Sequence, residues 1–206
     1  MLPVGPPIPR RPSCHNGVVA DGFASVDELF VALEASVDAD DEGGLSILSH
    51  CLQCADLLRT DRPDDMELQV AGLVHDLGWL ERRGDGWALR PDAAHDVDGR
   101  RRVQPLLGPR VAGLVGGHVQ AKRFLLATDA AYRDLLSARS RTTLEFQGGV
   151  MDPAEVDAFI ARPDHPDLVT LRRADDAAKV RGKVVRGLDA WRAVVQTVVD
   201  GAATAR

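Results

Sequence analysis

Six side chains in this sequence have the types and order that metal chemistry needs: His50, the adjacent pair His75-Asp76, His95, His118 and Asp175. His50, His75 and His118 each lie on or at the end of an apolar helical stretch, and His95 sits early in another. Imidazole is a common metal ligand, and a carboxylate is a natural bridge between two hard or borderline cations. An adjacent His-Asp pair lets one turn of chain serve two metals, the histidine on one and the aspartate spanning both. A lone histidine on an apolar face is more often a satisfied core residue. Here there are four, and an acidic residue directly after the apolar run Ala71-Gly72-Leu73-Val74 needs a partner if buried; a metal supplies one. On coordination chemistry alone the set suits Fe, Mn, Co or Ni alike.

Helices must position these residues, because bundles build such sites from inward-facing side chains on facing helices. A first helix starts at Ser25, which with Glu28 forms a capping box ahead of Leu29, Phe30 and Leu33. It ends at the loop Asp38–Gly44. A second runs from about Ser46 to Arg59, and a third begins near Pro63 and leads into His75-Asp76. Gly84–Gly86 reads as a turn and residues 92–106 as helix. Pro109 starts the next helix, through Val111, Leu114 and His118 to Leu126. Shorter helices follow around 130–145 and are broken at Gly148-Gly149. Asp152-Pro153 starts another, with Asp as N-cap and Pro at N1. Residues 167–180 and 188–204 complete the set. No repeat and no sustained strand alternation is present, so the fold class is all-α.

Composition agrees with that class. The 206 residues fit a single domain, 22–206, after a Pro-rich leader, 1–21, expected to be disordered. Aromatic residues make up 4% against 45% apolar overall, so the core is mostly Leu, Val and Ala, which favours helices over sandwiches or barrels. A net charge of −6 argues against a nucleic-acid binder, while leaving room for a local basic pocket and a small anionic substrate. Three cysteines are too few for a disulfide scaffold, and no run approaches a membrane span. A soluble cytoplasmic protein with no membrane partner is expected. Cys51 and Cys54 read as small packing residues, His165 as a loop residue, Trp191 and the valines after it as core or a partner surface, and Arg100–Arg102 as a solvated helix face.

The segment Gly72-Leu73-Val74-His75-Asp76-Leu77-Gly78 resembles the signature of the HD-domain superfamily. His50 lies 25 residues before the motif histidine, His95 20 after it, His118 23 further on, and Asp175 closes the set in the superfamily's order. Most members hydrolyse phosphate esters with a metal-activated water. A smaller branch, the mixed-valent di-iron oxygenases, carries a lysine four residues after the fourth histidine, and this chain has Lys122 after His118. One helical turn separates the two, so they share a face. Ser140, Thr143 and Gln147-Gly148-Gly149 are similar to a stretch of the phosphonate-acting members of that branch, and Arg172 matches their phosphonate-binding arginine. The likeness covers roughly residues 25–185. It is closer to those members than to the longer myo-inositol oxygenases.

The resemblance implies an HD-type helical bundle with a central dinuclear site. One iron would be held by His50, His75, Asp76 and Asp175, the other by Asp76, His95 and His118, as an Fe(II)/Fe(III) pair with O2 as co-substrate. Lys122, Ser140, Thr143 and Arg172 would hold the phosphonate of a 1-hydroxyalkylphosphonate, with Lys122 and Asp76 the groups nearest the chemistry. O2 would oxidise the hydroxyl-bearing carbon, cleave the C–P bond and release phosphate. The alternative within the superfamily is a metal-dependent phosphohydrolase acting on a nucleotide or phosphomonoester, which needs neither O2 nor Lys122. A non-catalytic binding module is a third reading, opposed by the complete ligand set. The pattern departs from the phosphonate enzymes at two places. The loop Asp40-Asp41-Glu42-Gly43-Gly44 lacks their tyrosine, leaving Glu42 as the only candidate substitute for their glutamate. Trp79 stands where they carry a histidine near the substrate, so a substrate different from the 2-amino-1-hydroxyethylphosphonate that those members oxidise is expected. The indole would either face an apolar or quaternary ammonium group or pack in the core.

Overall fold

The computed structural model describes residues 22–37, 44–83, 86–89 and 94–204. The leader 1–21, with Cys14 and His15, and the Asp40–Gly43 part of the loop that carries Glu42 lie outside the described residues.

The first three helices begin where a side chain caps them. α1 (Val26–Ala35) starts on Ser25, whose Oγ accepts from the Glu28 amide; Glu28 in turn accepts from the amide of Ala24, one residue before the cap. α2 (Ile47–Asp61) is capped by Ser46. α3 (Met66–Val74) starts three residues later than Pro63 suggests, because Asp65 accepts from the Leu68 amide and fixes the first turn there. A short 3-10 turn, Leu77–Trp79, follows His75-Asp76 and leads into an antiparallel hairpin, β1 (Leu80–Arg83) paired with β2 (Gly86–Leu89). Sequence reading saw only a turn here. Four-residue strands are too short to show an alternation.

The helices expected on either side of residues 107–108 form one element, α4 (His95–Thr128), broken at Gly108. There φ is +83°, a conformation glycine adopts without a Cβ penalty, and Pro109 opens the second segment. α5 (Tyr132–Leu135) and α6 (Ala138–Leu144) follow, and the turn after α6 carries Gly148-Gly149, both with positive φ. α7 (Pro153–Ile160) has the reciprocal Asp152/Glu155 capping box, and α8 (His165–Ala177) and α9 (Arg192–Thr204) follow.

α2 packs on α3 and α8, and α4 packs on α3, α8 and α9. The shared core holds Leu58, Leu68, Leu73, Leu107, Leu114, Leu168 and Trp191. Trp191 and Val195 are fully buried, so the C-terminal stripe is core. Cys51 and Cys54 are buried thiols, Cys51 against Ile47 and Trp79. One expectation is corrected: Arg102 is not on a solvated face. It is buried, and its guanidinium donates to the carbonyls of Leu77 and Leu80, tying α4 to the turn that follows the His-Asp pair. No helix among the described residues is long and apolar enough to cross a membrane.

Candidate metal centre and anion pocket

His50 sits one turn into α2, His75 and Asp76 directly follow α3, His95 opens α4, His118 lies beyond its kink, and Asp175 is near the end of α8. The structure brings all six together, each buried. They form two groups that share Asp76. Asp76 Oδ2 lies 3.6 Å from Nε2 of both His50 and His75. Asp76 Oδ1 lies 3.6 Å from His95 Nε2 and 3.9 Å from His118 Nε2. Asp175 Oδ1 joins the first group, 3.2 Å from His50 Nε2.

The donor set fits a pair of cations. Nε2 of His50 and His75 are 3.1 Å apart, and those of His95 and His118 are 3.0 Å apart. Two ligands about 2.1 Å from one ion and at right angles would be about 3.0 Å apart. The outer nitrogens are already used: Nδ1–H of His50, His75 and His118 donates to the carbonyls of Ala178, Gly72 and Val115. A carbonyl can only accept, so these bonds assign the tautomer and leave each Nε2 as an inward lone pair. Burial pulls the basicity of His95 down to about 4 and that of His118 well below the usual range, which keeps both rings in the neutral, ligating form. Burial alone would push Asp175 up, but Arg172 and Lys179 hold it well below the ordinary carboxylate range.

The two groups differ in access. A pocket is lined by Asp76, His95, His118 and Asp175, whereas His50 and His75 lie behind its wall with no exposed surface. Both histidines of the Asp76, His95 and His118 group line the pocket, so an ion held by that group would be the one within reach of a molecule in the pocket.

The other wall of the pocket is cationic and rich in hydroxyls. Lys122 is 2% exposed, and its ammonium donates to the Ser140 carbonyl at 3.3 Å, to Thr143 Oγ1 at 3.2 Å and to Gln147 Oε1. These acceptors are neutral, and no carboxylate among the described residues pairs with it. Burial, reinforced by Arg172, lowers its pKa to about 7. Ser140 Oγ accepts from Arg172 at 3.4 Å and from Lys179 at 3.3 Å. All four residues implied as phosphonate contacts thus converge here from α4, α6 and α8.

Arg172 has a second set of partners. Its guanidinium pairs with Asp175 Oδ2 at 2.8 Å, donates to Asp176, and donates to the Tyr132 hydroxyl at 2.9 Å. It therefore joins the anion pocket to a metal-side carboxylate. Tyr132, Asp176, Lys179 and Arg139 were not singled out from sequence. Lys179, one turn after Asp175, carried a spacing signal; Tyr132 and Arg139 carried none. His165, expected in a loop, is the first residue of α8; it lies apart from the cluster, bonded to the Arg162 carbonyl beside Phe159.

The family described as myo-inositol oxygenase matches residues 22–89. The hydroxymethylphosphonate dioxygenase of Gimesia maris is 33% identical over 178 residues, covering 85% of this chain and 88% of that protein. The [1-hydroxy-2-(trimethylamino)ethyl]phosphonate dioxygenase (glycine-betaine-forming) of Leisingera caerulea is 28% identical over 158 residues, 76% of this chain and 80% of that one. An uncharacterized protein of Acanthamoeba polyphaga mimivirus is 35% identical over 149 residues, 70% of this chain and 68% of that one.

Proposed function

The chain belongs to the myo-inositol oxygenase-like family that includes hydroxymethylphosphonate dioxygenase, and on that premise we propose that it is a di-iron oxidoreductase of 1-hydroxyalkylphosphonates. The observation that carries the substrate class is Lys122. A buried ammonium surrounded by neutral oxygens, one helical turn from His118, is an anion site facing the open side of the metal cluster.

His50, His75, Asp76 and Asp175 would hold one iron, and Asp76, His95 and His118 the other. When bound, the irons supply the oxidation by O2 that no side chain performs. The chain's own residues bind and orient. Lys122, Thr143, Ser140 and Arg172 neutralise the phosphonate and point the hydroxyl-bearing carbon at the pocket-side group. Asp175 and Asp176 keep Arg172 fixed, so little ordering is left to do on binding. For hydroxymethylphosphonate the proposed balance is one O2 consumed, the C–P bond and one C–H bond broken, and formate, inorganic phosphate and one proton formed.

The test is oxygen dependence. Iron-loaded protein is given hydroxymethylphosphonate in air and under argon, and phosphate is followed. Release in air only supports the reading. Equal release under argon would make the C–P cleavage non-oxidative and overturn the oxygenase reading, and turnover of p-nitrophenyl phosphate in place of the phosphonate assigns the protein to phosphoester hydrolysis.

A further inference from the structure

Trp79 stands on the pocket wall beside the open metal group. Its indole stacks on His95, with centroids 4.2 Å apart and planes 13° from parallel. The guanidinium of Arg139 lies over the same indole, 4.9 Å from the ring centroid, and also lines the pocket. Arg139 is in the first turn of α6, directly before Ser140, so the helix that offers hydroxyls to the anion also places this cation.

An indole face next to a substrate site is a good surface for a quaternary ammonium. Here a guanidinium covers that indole. A cationic substituent on the hydroxyl-bearing carbon that reached this indole would have to displace the Arg139 guanidinium or lie against it. Like charges juxtaposed in a desolvated site repel strongly. A hydrogen or a small uncharged group meets no such penalty.

We propose that Arg139, seated on Trp79, determines specificity: it admits 1-hydroxyphosphonates with no charge on the side group and rejects those with a quaternary ammonium. This rests on the phosphonate reading above, and the experiment separates the two.

Wild type, Arg139→Ala and Arg139→Lys are compared in kcat/KM for hydroxymethylphosphonate and for 1-hydroxy-2-(trimethylammonio)ethylphosphonate. The same proteins, metal-loaded, are titrated calorimetrically with the unreactive methylphosphonate and 2-(trimethylammonio)ethylphosphonate. Wild type is expected to prefer the uncharged member by about 100-fold or more, and Arg139→Ala to narrow that ratio about tenfold, chiefly through KM of the cationic substrate. Arg139→Lys, which keeps the charge, should fall between them. An unchanged ratio in Arg139→Ala overturns the proposal. So does an equal loss for both ligands, which would make Arg139 a plain phosphonate contact. If neither substrate turns over but the analogues keep the Arg139-dependent ratio, the selectivity stands and the oxygenase reading fails. If neither analogue binds, both fall.

Discussion

His50 and His75 point their Nε2 atoms at each other across 3.1 Å, while Nδ1 of each donates to a backbone carbonyl. Two inward lone pairs at that distance repel unless a cation lies between them. Metal should therefore stabilise the fold. Protein stripped by chelator and then given ferrous or manganous ion is expected to melt several degrees higher, since a ligand at 100 times its Kd adds about 2.7 kcal/mol. His75→Ala should bind less metal per chain and show a smaller shift in melting temperature. A melting point indifferent to every divalent cation tried would contradict the assignment of the cluster.

Lys122 should make anion binding pH-dependent. Its pKa is lowered to about 7 by burial, so the charged form that an anion needs is lost as pH rises through that value. A bound anion restores the charge by raising the pKa, and binding above pH 7 then takes up a proton. The probe is hydroxymethanesulfonate, whose own charge is constant. Its affinity is expected to be flat below pH about 7 and to weaken by up to about tenfold per pH unit above it. Lys122→Met should bind it weakly at every pH.

The same shift has the opposite consequence for stability without ligand. Because the folded state disfavours the charged form, the penalty is complete below the folded pKa and disappears as pH approaches that of a free lysine. Lys122→Met is expected to melt higher than wild type at pH 6, with the gap closing toward pH 10. A wild type that melts higher than the variant at pH 6 would count against the buried, underpaired ammonium.

Gly78 is required by a close approach. A Cβ there would overlap the backbone carbonyl of His95 and lie 2.8 Å from the Gly99 amide. This contact sets the start of α4, and with it His95, against the turn after His75-Asp76. Gly78→Ala should lower the melting temperature and also lower metal content, because the two ligand segments must separate. A variant with full metal content would show that the approach is not what aligns the groups.

Asp65 caps α3 and accepts a bidentate pair from Arg110 of α4, 2.6 Å on each side. Arg110, chiefly through its hydrogen bonds, lowers the Asp65 pKa below that of a free carboxyl. The contribution is therefore present above the unfolded pKa of about 3.9 and is lost as pH falls below it. Arg110→Met should melt a few degrees lower than wild type at pH 7, and acid titration of the two melting curves should show the difference fading below about pH 4.

Much of this site was readable in the chain because its parts are local signals. His75-Asp76 after an apolar run, histidines on apolar helices, and Lys122 one turn from His118 all depend on neighbours in sequence. The helix starts at Ser25, Ser46 and Asp152 were legible for the same reason: a cap is a contact three residues long. What escaped depends on distant contacts. Arg102 looks like a surface residue among arginines until Leu77 and Leu80, more than twenty residues earlier, present carbonyls to it. Tyr132 meets Arg172 across 40 positions, and nothing near it in sequence marks that role. Trp79 had two sequence readings, a ligand-facing indole or a core one. The structure gives it parts of both, since it packs on Ile47 and Cys51 and lines the pocket under Arg139.

The most direct test of the central claim is stoichiometry. Oxygen uptake and phosphate release are recorded in one vessel with iron-loaded protein and hydroxymethylphosphonate, and formate is measured at the end. One O2 consumed per phosphate and per formate is the result expected. Phosphate released with no oxygen uptake would contradict the account and leave a hydrolytic metal site in its place.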